Sequence, residues 1–181
     1  CLSPSDVSDL DNNGYGDLVF QDLATGDIQI RTWDNLGSTT QAPNITALGA
    51  NWKVIATGKF TAGTGRADRI LVQDDATQDL KVINQLTGAA LDFPFSVQPG
   101  AGWQAIDTGD FNGDAASDVL LQDGAGNAKI IFMDGSTGMV LSQAGITAPA
   151  GYDAISGGDF DGNGKSDILW QDSATGDIQL S

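Results

Sequence analysis

The sequence predicts an all-β fold, a β-propeller of four-stranded antiparallel blades with about three and a half repeats in this chain, on three observations. A Gln-Asp pair recurs at Gln21-Asp22, Gln73-Asp74, Gln122-Asp123 and Gln171-Asp172, with spacings of 52, 49 and 49 residues. A fixed period of that size marks small supersecondary units stacked in series. No segment sustains a helical period. All 24 acidic residues are Asp, with no Glu and no His, beside 24 Gly. Glu suits helix interiors, whereas Asp and Gly suit turns.

Each unit reads in the same order. An aromatic-led strand comes first, at Trp52 to Gly58, Trp103 to Gly109 and Tyr152 to Gly158. An acidic loop follows. A second strand is apolar at consecutive positions, at Leu18 to Phe20, Ile70 to Val72, Val119 to Leu121 and Ile168 to Trp170. Consecutive apolar residues predict burial on both faces, as in a sheet held between two others. A turn such as Ala24-Thr-Gly-Asp27 leads to a third strand, Ile28 to Trp33 or Ala128 to Met133. A more polar fourth strand ends near Pro43 or Pro149. Radial stacking of such meanders is a propeller. The leading Trp or Tyr is expected to pack between blades. The Gln-Asp pairs are expected to form turns, because Asp bonds backbone N–H groups two residues on. One domain, 1–181, is expected, with repeats at 1–50, 51–101, 102–150 and 151–181.

Three loops place oxygen-bearing side chains at positions 1, 3, 5 and 9. They are Asp9, Asp11, Asn13 and Asp17; Asp110, Asn112, Asp114 and Asp118; and Asp159, Asp161, Asn163 and Asp167. The position-7 carbonyls belong to Tyr15, Ala116 and Lys165. Alternate residues of a curled loop point inward at one ion, and Ca²⁺ takes six to eight oxygens. The expectation is about three Ca²⁺ ions, held for stability. Gly162 and Gly164 permit the curl of the last loop, and Gly14 stands at position 6 of the first. Ala115 stands at that position in the third loop. If the position needs positive φ, Ala costs about 1 kcal/mol there and binding is weaker. The second loop has Lys59 at position 1 and Arg69 at the last Asp position, with two residues inserted between. No Ca²⁺ is expected at this Lys59–Arg69 loop; a cation of the chain stands in for the ion and ties the loop to nearby carbonyls. These are not EF-hands, since position 12 is Phe20, Leu121 or Trp170 rather than Glu.

The stretch Gly158-Asp-Phe-Asp-Gly-Asn-Gly-Lys-Ser-Asp-Ile-Leu-Trp170 resembles the FG-GAP, or VCBS, repeats of integrin-α-like propellers and many bacterial surface proteins. Gly109-Asp-Phe-Asn-Gly-Asp114 through Ser117-Asp118 follows the same pattern with two changes. The resemblance extends over nearly the whole chain. It implies calcium held between the first two strands of a blade, often in a seven-bladed wheel. It leaves the function open among adhesins, lectin-like proteins and non-catalytic modules of larger proteins.

A net charge of −16 argues against binding nucleic-acid phosphates. No apolar run is long enough to span a membrane. Without His there is no His base and no His-ligated zinc. The chain begins without Met, at Cys1, its one cysteine. A lipid-acylated Cys of a bacterial surface protein and a fragment boundary both fit that start. The strand count is three, four, four and three, or fourteen; two copies would total the twenty-eight of seven blades. A four-bladed wheel, a head-to-tail filament and a piece of a longer polypeptide are the rival readings.

Function divides into three classes. The leading one is a non-catalytic, secreted or surface-displayed calcium-binding module for adhesion or recognition of a protein or glycan ligand. Trp33 is the exposed-aromatic candidate for a glycan, since Gln85 and Met133 take its place in other repeats. The second is a structural subunit of an extracellular filament or surface assembly, a homo-oligomer using open strand edges. The third is an enzyme, or the non-catalytic part of a larger secreted enzyme or toxin. Paired carboxylates cleave glycosides in other proteins, but the Asp clusters here are assigned to calcium, and Asp107 and Asp153 stand alone in sequence.

Overall fold

The structure is a computed structural model that describes residues 8–41, 44–45, 48–60, 68–83 and 97–181. Its described residues form thirteen strands in four antiparallel sheets. The first sheet holds β1 (Leu18–Gln21), β2 (Ile28–Trp33) and β3 (Thr39–Gln41). The second holds β4 (Trp52–Gly58), β5 (Arg69–Asp74) and β6 (Leu80–Ile83). The third holds β7 (Trp103–Gly109), β8 (Asp118–Asp123), β9 (Ala128–Met133) and β10 (Val140–Ile146). The fourth holds β11 (Tyr152–Gly158), β12 (Asp167–Asp172) and β13 (Ile178–Leu180). Every sheet is a meander. The aromatic-led strands begin and end where the sequence places them. The second repeat's fourth strand, Gln85, Pro43, Cys1 and the inserted part of the second loop lie outside the described residues.

Four sheets in series make three apolar layers. The first layer joins Val19, Ile28 and Ile30 to Ile70, Val72 and Ile83. The second joins Leu71, Leu80 and Val82 to Val119, Leu121, Ile131 and Met133. The third joins Leu120, Ala128 and Ile130 to Ile168 and Trp170. Strand alternation explains the assignment: on β5, Ile70 and Val72 face one neighbour and Leu71 the other. Each sheet therefore has a rear face, toward the preceding sheet, and a forward face, toward the next.

The expectation of a second strand buried on both faces holds for β5 and β8. It fails for β1 and β12, which are covered on one face only. They belong to the end sheets of the stack. Burial on two faces needs two neighbours, and among the described residues only the inner sheets have both.

The leading aromatics pack as expected. Trp52 is buried in the first layer, and Trp103 and Tyr152 pack against the second and third. Lys81 Nζ lies 4.0 Å from the centroid of the Trp52 ring, and Lys129 Nζ lies 4.2 Å from that of Trp103. The lysine stems thus cover the rings while their charges sit over the π-face.

One feature of the first strands is invisible in the sequence pattern. The pairing of β4 with β5, of β7 with β8 and of β11 with β12 each slips by one residue, at Ile55, Ile106 and Ile155. This repeated β-bulge lets two consecutive residues oppose one partner and strengthens local twist. Ile55 and Ile106 pack into the layers ahead of them. The strands β4, β7 and β11 lie side by side and line an open concavity of about 760 Å³.

Among the described residues the first and fourth sheets are separate and three-stranded.

Candidate metal loops and the clamps between sheets

The third and fourth acidic loops connect β7 to β8 and β11 to β12, at the concave side of the stack, and the first leads into β1. Their curl comes from left-handed backbone at positions 4 and 6. In the fourth loop these are Gly162 (φ 79°) and Gly164 (φ 86°); in the first they are Asn12 (φ 60°) and Gly14 (φ 87°). The third loop has Gly113 (φ 84°) and Ala115 (φ 65°). Position 6 thus requires positive φ, and Ala115 adopts it against the clash of its Cβ with the backbone.

That curl turns backbone N–H groups onto the inward side chains. Asp9 Oδ1 accepts from Asn13 N–H at 3.0 Å and Oδ2 from Gly14 N–H at 2.8 Å. Asp110 and Asp159 repeat this, taking Ala115 N–H at 2.7 Å and Gly164 N–H at 3.0 Å on Oδ2. Position 3 accepts from position 5: Asn13 N–H to Asp11, Asp114 N–H to Asn112, Asn163 N–H to Asp161. Position 5 accepts from position 7: Tyr15 N–H to Asn13, Ala116 N–H to Asp114, Lys165 N–H to Asn163.

Position 9 does more than face the loop. Asp17 Oδ2 accepts Leu10 N–H at 2.7 Å, and its Oδ1 accepts Trp33 N–H at 3.2 Å from β2. Asp118 likewise accepts Phe111 N–H at 3.0 Å and Met133 N–H at 2.8 Å from β9. Asp167 accepts Phe160 N–H at 3.0 Å. Burial pushes the Asp17 carboxyl above the usual range, against the lowering by these N–H bonds. Burial pushes Asp118 up to about 6, with the charges of Asp114 and Asp110 adding to it.

The residues fit a hard cation unequally. Asp9, Asp11 and Asp17 offer carboxylate oxygens within 4.8 Å of one another, as do Asp159, Asp161 and Asp167. Among the described residues no other group of three carboxylates meets that distance. Carboxylates this close repel unless a cation lies between them. Each carboxylate has about four lone-pair sites, so the N–H bonds leave others for a metal. In the third loop Asn112 takes position 3, so its acidic side chains stand at positions 1, 5 and 9 and do not converge to the same extent. Asn13 turns its amide nitrogen toward Asp11 at 3.0 Å and donates to the Trp33 carbonyl at 2.6 Å.

Around the second loop, Asp68 is buried beside Lys59 and Arg69. Burial raises its pKa, opposed first by the Asp9 N–H bond and then by the Lys59 charge. Arg69 donates to the Asp68 carbonyl at 3.2 Å. The described part of this loop thus carries its own cations, one of them on a loop carbonyl.

The loops also fasten one sheet to the next, through position 8. Asp68, Ser117 and Ser166 donate their N–H to the carbonyls of Asp9, Lys59 and Asp110, the position-1 residues of the preceding blades, at 2.9, 2.6 and 2.7 Å. Asp9 N–H returns a bond to Asp68 Oδ2, and Lys59 N–H to Ser117 Oγ, both at 2.9 Å. Close approach explains two glycines: a Cβ on Gly58 or Gly109 would lie 2.7 Å from Ser117 Oγ or 2.5 Å from Ser166 Oγ.

A second clamp corrects the reading of the Gln-Asp pairs. The Asp residues do form the turns: Asp22, Asp74, Asp123 and Asp172 accept N–H bonds from Ala24, Ala76, Ala125 and Ala174 at 2.7 to 2.9 Å. Three of the four Gln residues reach across to the next sheet instead. Gln21 takes Val54 N–H at 3.0 Å and gives to the Trp52 carbonyl at 2.7 Å. Gln73 takes Ala105 N–H and gives to the Trp103 carbonyl, both at 2.9 Å. Gln122 takes Ala154 N–H at 2.9 Å and donates to Asp153 at 3.3 Å. Asp107 bridges β7 to β11 through Ser156 Oγ and Gly157 N–H, both at 2.9 Å. The recurrence of the Gln was the available signal for this clamp.

Residues 110–170, from the first Asp of the third loop to Trp170 in β12, match the model of a family described as FG-GAP-like repeat. The chain carries an FG-GAP-like repeat. Such repeats build β-propeller blades, and the four stacked meanders are part of a propeller of that kind. A comparison with curated proteins finds no match. The matched FG-GAP-like segment contains all the acidic positions of the third and fourth loops, Asp110 to Asp118 and Asp159 to Asp167, and the Ser166 clamp between them.

Proposed function

We propose that this chain is a non-catalytic, calcium-braced β-propeller module that works outside the cell, on a surface or secreted, in adhesion or recognition of a protein or glycan. One observation carries the reading: the first and fourth loops each gather three carboxylate oxygens within 4.8 Å. Calcium at Asp9, Asp11 and Asp17, and at Asp159, Asp161 and Asp167, neutralises clustered charge in a chain of net −16. It also pins loops that are clamped to the next sheet, so binding energy becomes folding energy. The third loop, with Asp110, Asp114, Asp118 and the neutral Asn112, takes calcium more weakly.

Extracellular calcium suits sites of modest affinity. No helix of the described residues is long and apolar enough to cross a membrane. Asp107 and Asp153 are engaged as links between sheets, which supports a binding rather than a catalytic role. The test is calorimetric titration of chelator-treated protein with Ca²⁺, joined to thermal melting. Calcium should bind with heat and raise Tm, and a chelator should reverse both. No heat and an unmoved Tm would end the calcium reading. Screening against glycans and surface proteins then identifies the ligand.

A further inference from the structure

We infer that the forward face of the fourth sheet docks on the rear face of the first sheet in a second copy of this chain, joining copies head to tail. The inner interfaces of the stack define what a forward face carries, and the fourth sheet carries the same residue types with no further sheet against them among the described residues. Leu169, Ile178 and Leu180 stand where Leu120, Ala128 and Ile130 stand in the third sheet, which are buried in the third layer. Ile178 is 54 % exposed and Leu180 45 %. Ile155 occupies the bulge position of Ile55 and Ile106, both packed into the layer ahead; it is exposed. Phe160 occupies loop position 2, where Leu10 and Phe60 are fully buried, and it too is exposed.

The polar clamps repeat the pattern. Gln171 corresponds to Gln21, Gln73 and Gln122, each bonded to the next sheet; here its amide turns back to the Gly176 carbonyl at 3.4 Å. Gly158 corresponds to Gly58 and Gly109, which have no room for a side chain; a Cβ on Gly158 would meet only the Phe160 ring, at 3.4 Å.

The rear face of the first sheet is the matching surface. Leu18 and Phe20, each 49 % exposed, stand where Ile70 and Val72 are buried. Trp33 stands where Met133 is buried, and Arg31 adds a positive charge toward an acidic partner. Paired apolar faces of this kind mark interaction sites. The occupant is a second copy because each copy owns one face of each sort, and the contact continues the packing of three existing layers. Such a contact is heterologous, so it adds copies in one direction until the rotation closes or a filament forms. This goes beyond the calcium reading and does not depend on it.

The experiment is sedimentation velocity of the 181-residue chain over a wide concentration range, with and without calcium, alongside Leu180→Asp and Phe20→Asp. Both substituted side chains are exposed, so melting should show both variants folded. Wild type should associate with rising concentration, more strongly in higher salt, which screens the repulsion between acidic copies. Each variant alone should lose association. Mixed, they should recover it as one-to-one pairs and nothing larger, because each retains the opposite face. Monomers at every concentration overturn the inference, as does association that survives both substitutions or that fails to recover on mixing.

Discussion

The buried carboxylate of Asp118 accepts the backbone N–H of Met133 at 2.8 Å. Its other oxygen accepts Phe111 N–H at 3.0 Å. A residue assigned by sequence to a metal loop is thus also the tie between that loop and the third strand of the blade. Removing it strands two N–H groups. Asp118→Ala is expected to cost roughly 2–6 kcal/mol, at about 1–3 kcal/mol for each of the two unsatisfied groups. Asp118→Asn, which keeps one acceptor oxygen, should cost less. Urea unfolding in chelator isolates this structural share from any effect of metal.

Ala115 holds φ 65° where the other two loops have Gly. Ala115→Gly relieves that conformation. It should stabilise the protein by about 1 kcal/mol, less a few tenths for the added freedom of the unfolded chain. If the strained loop is what limits the third site, the same change should tighten its calcium affinity, read by titration. Unchanged stability would mean that the loop's N–H bonds already absorb the strain.

Gln73 and Gln171 occupy the same position in the second and fourth repeats, yet among the described residues only Gln73 has a sheet ahead of it. Gln73→Ala removes the acceptor for the buried Ala105 N–H and should cost about 1–3 kcal/mol. Gln171→Ala should stay within about 0.5 kcal/mol at concentrations where the chain is monomeric. Equal effects at the two positions would show that the Gln acts within its own hairpin, not between sheets.

These pairs show where sequence reading succeeds and stops. The strands β4, β7 and β11 were legible to the residue because an aromatic opens each and a Gly closes each. The curl of the acidic loops was legible because its residues lie within nine positions of one another. The clamps were not, because Gln73 meets Ala105 32 residues on and Lys59 meets Ser117 58 residues on. Such partners share no local spacing. The bulges at Ile55, Ile106 and Ile155 were hidden too, since an extra residue leaves the apolar composition of a strand unchanged. The half-exposure of β1 and β12 follows from position in the stack, which no single repeat encodes.

Acid should expose the turns. The Ser136 hydroxyl, then the N–H groups of Thr137 and Ser136, lower the Asp134 carboxyl to about 2. Its folded pKa lies below the ordinary value of 3.8. Its contribution to stability is therefore complete above that value and is lost as pH falls through about 2. Asp134→Asn should remove this part of the acid sensitivity while leaving the rest of the profile in place. Carbon-detected titration of the Asp134 carboxyl checks the premise; an ordinary pKa would refute it.

Gly109 offers the sharpest test of sheet-to-sheet fit. A methyl group there would lie 2.5 Å from Ser166 Oγ and 2.8 Å from Ser166 Cβ. Ser166 cannot retreat, because its N–H is held by the Asp110 carbonyl at 2.7 Å. Gly109→Ala should therefore push the third and fourth sheets apart and cost about 1–3 kcal/mol, the usual range for overpacking. Gly158→Ala, meeting only the edge of Phe160 at 3.4 Å, should be much milder. The double variant Gly109→Ala with Ser166→Gly removes the clashing atoms while keeping the Ser166 backbone bond. If the clash is the cause, that variant should regain most of the loss, and the two changes should couple rather than add. Additive costs in urea unfolding would place the effect of Gly109 in its own strand and not at the seam between blades.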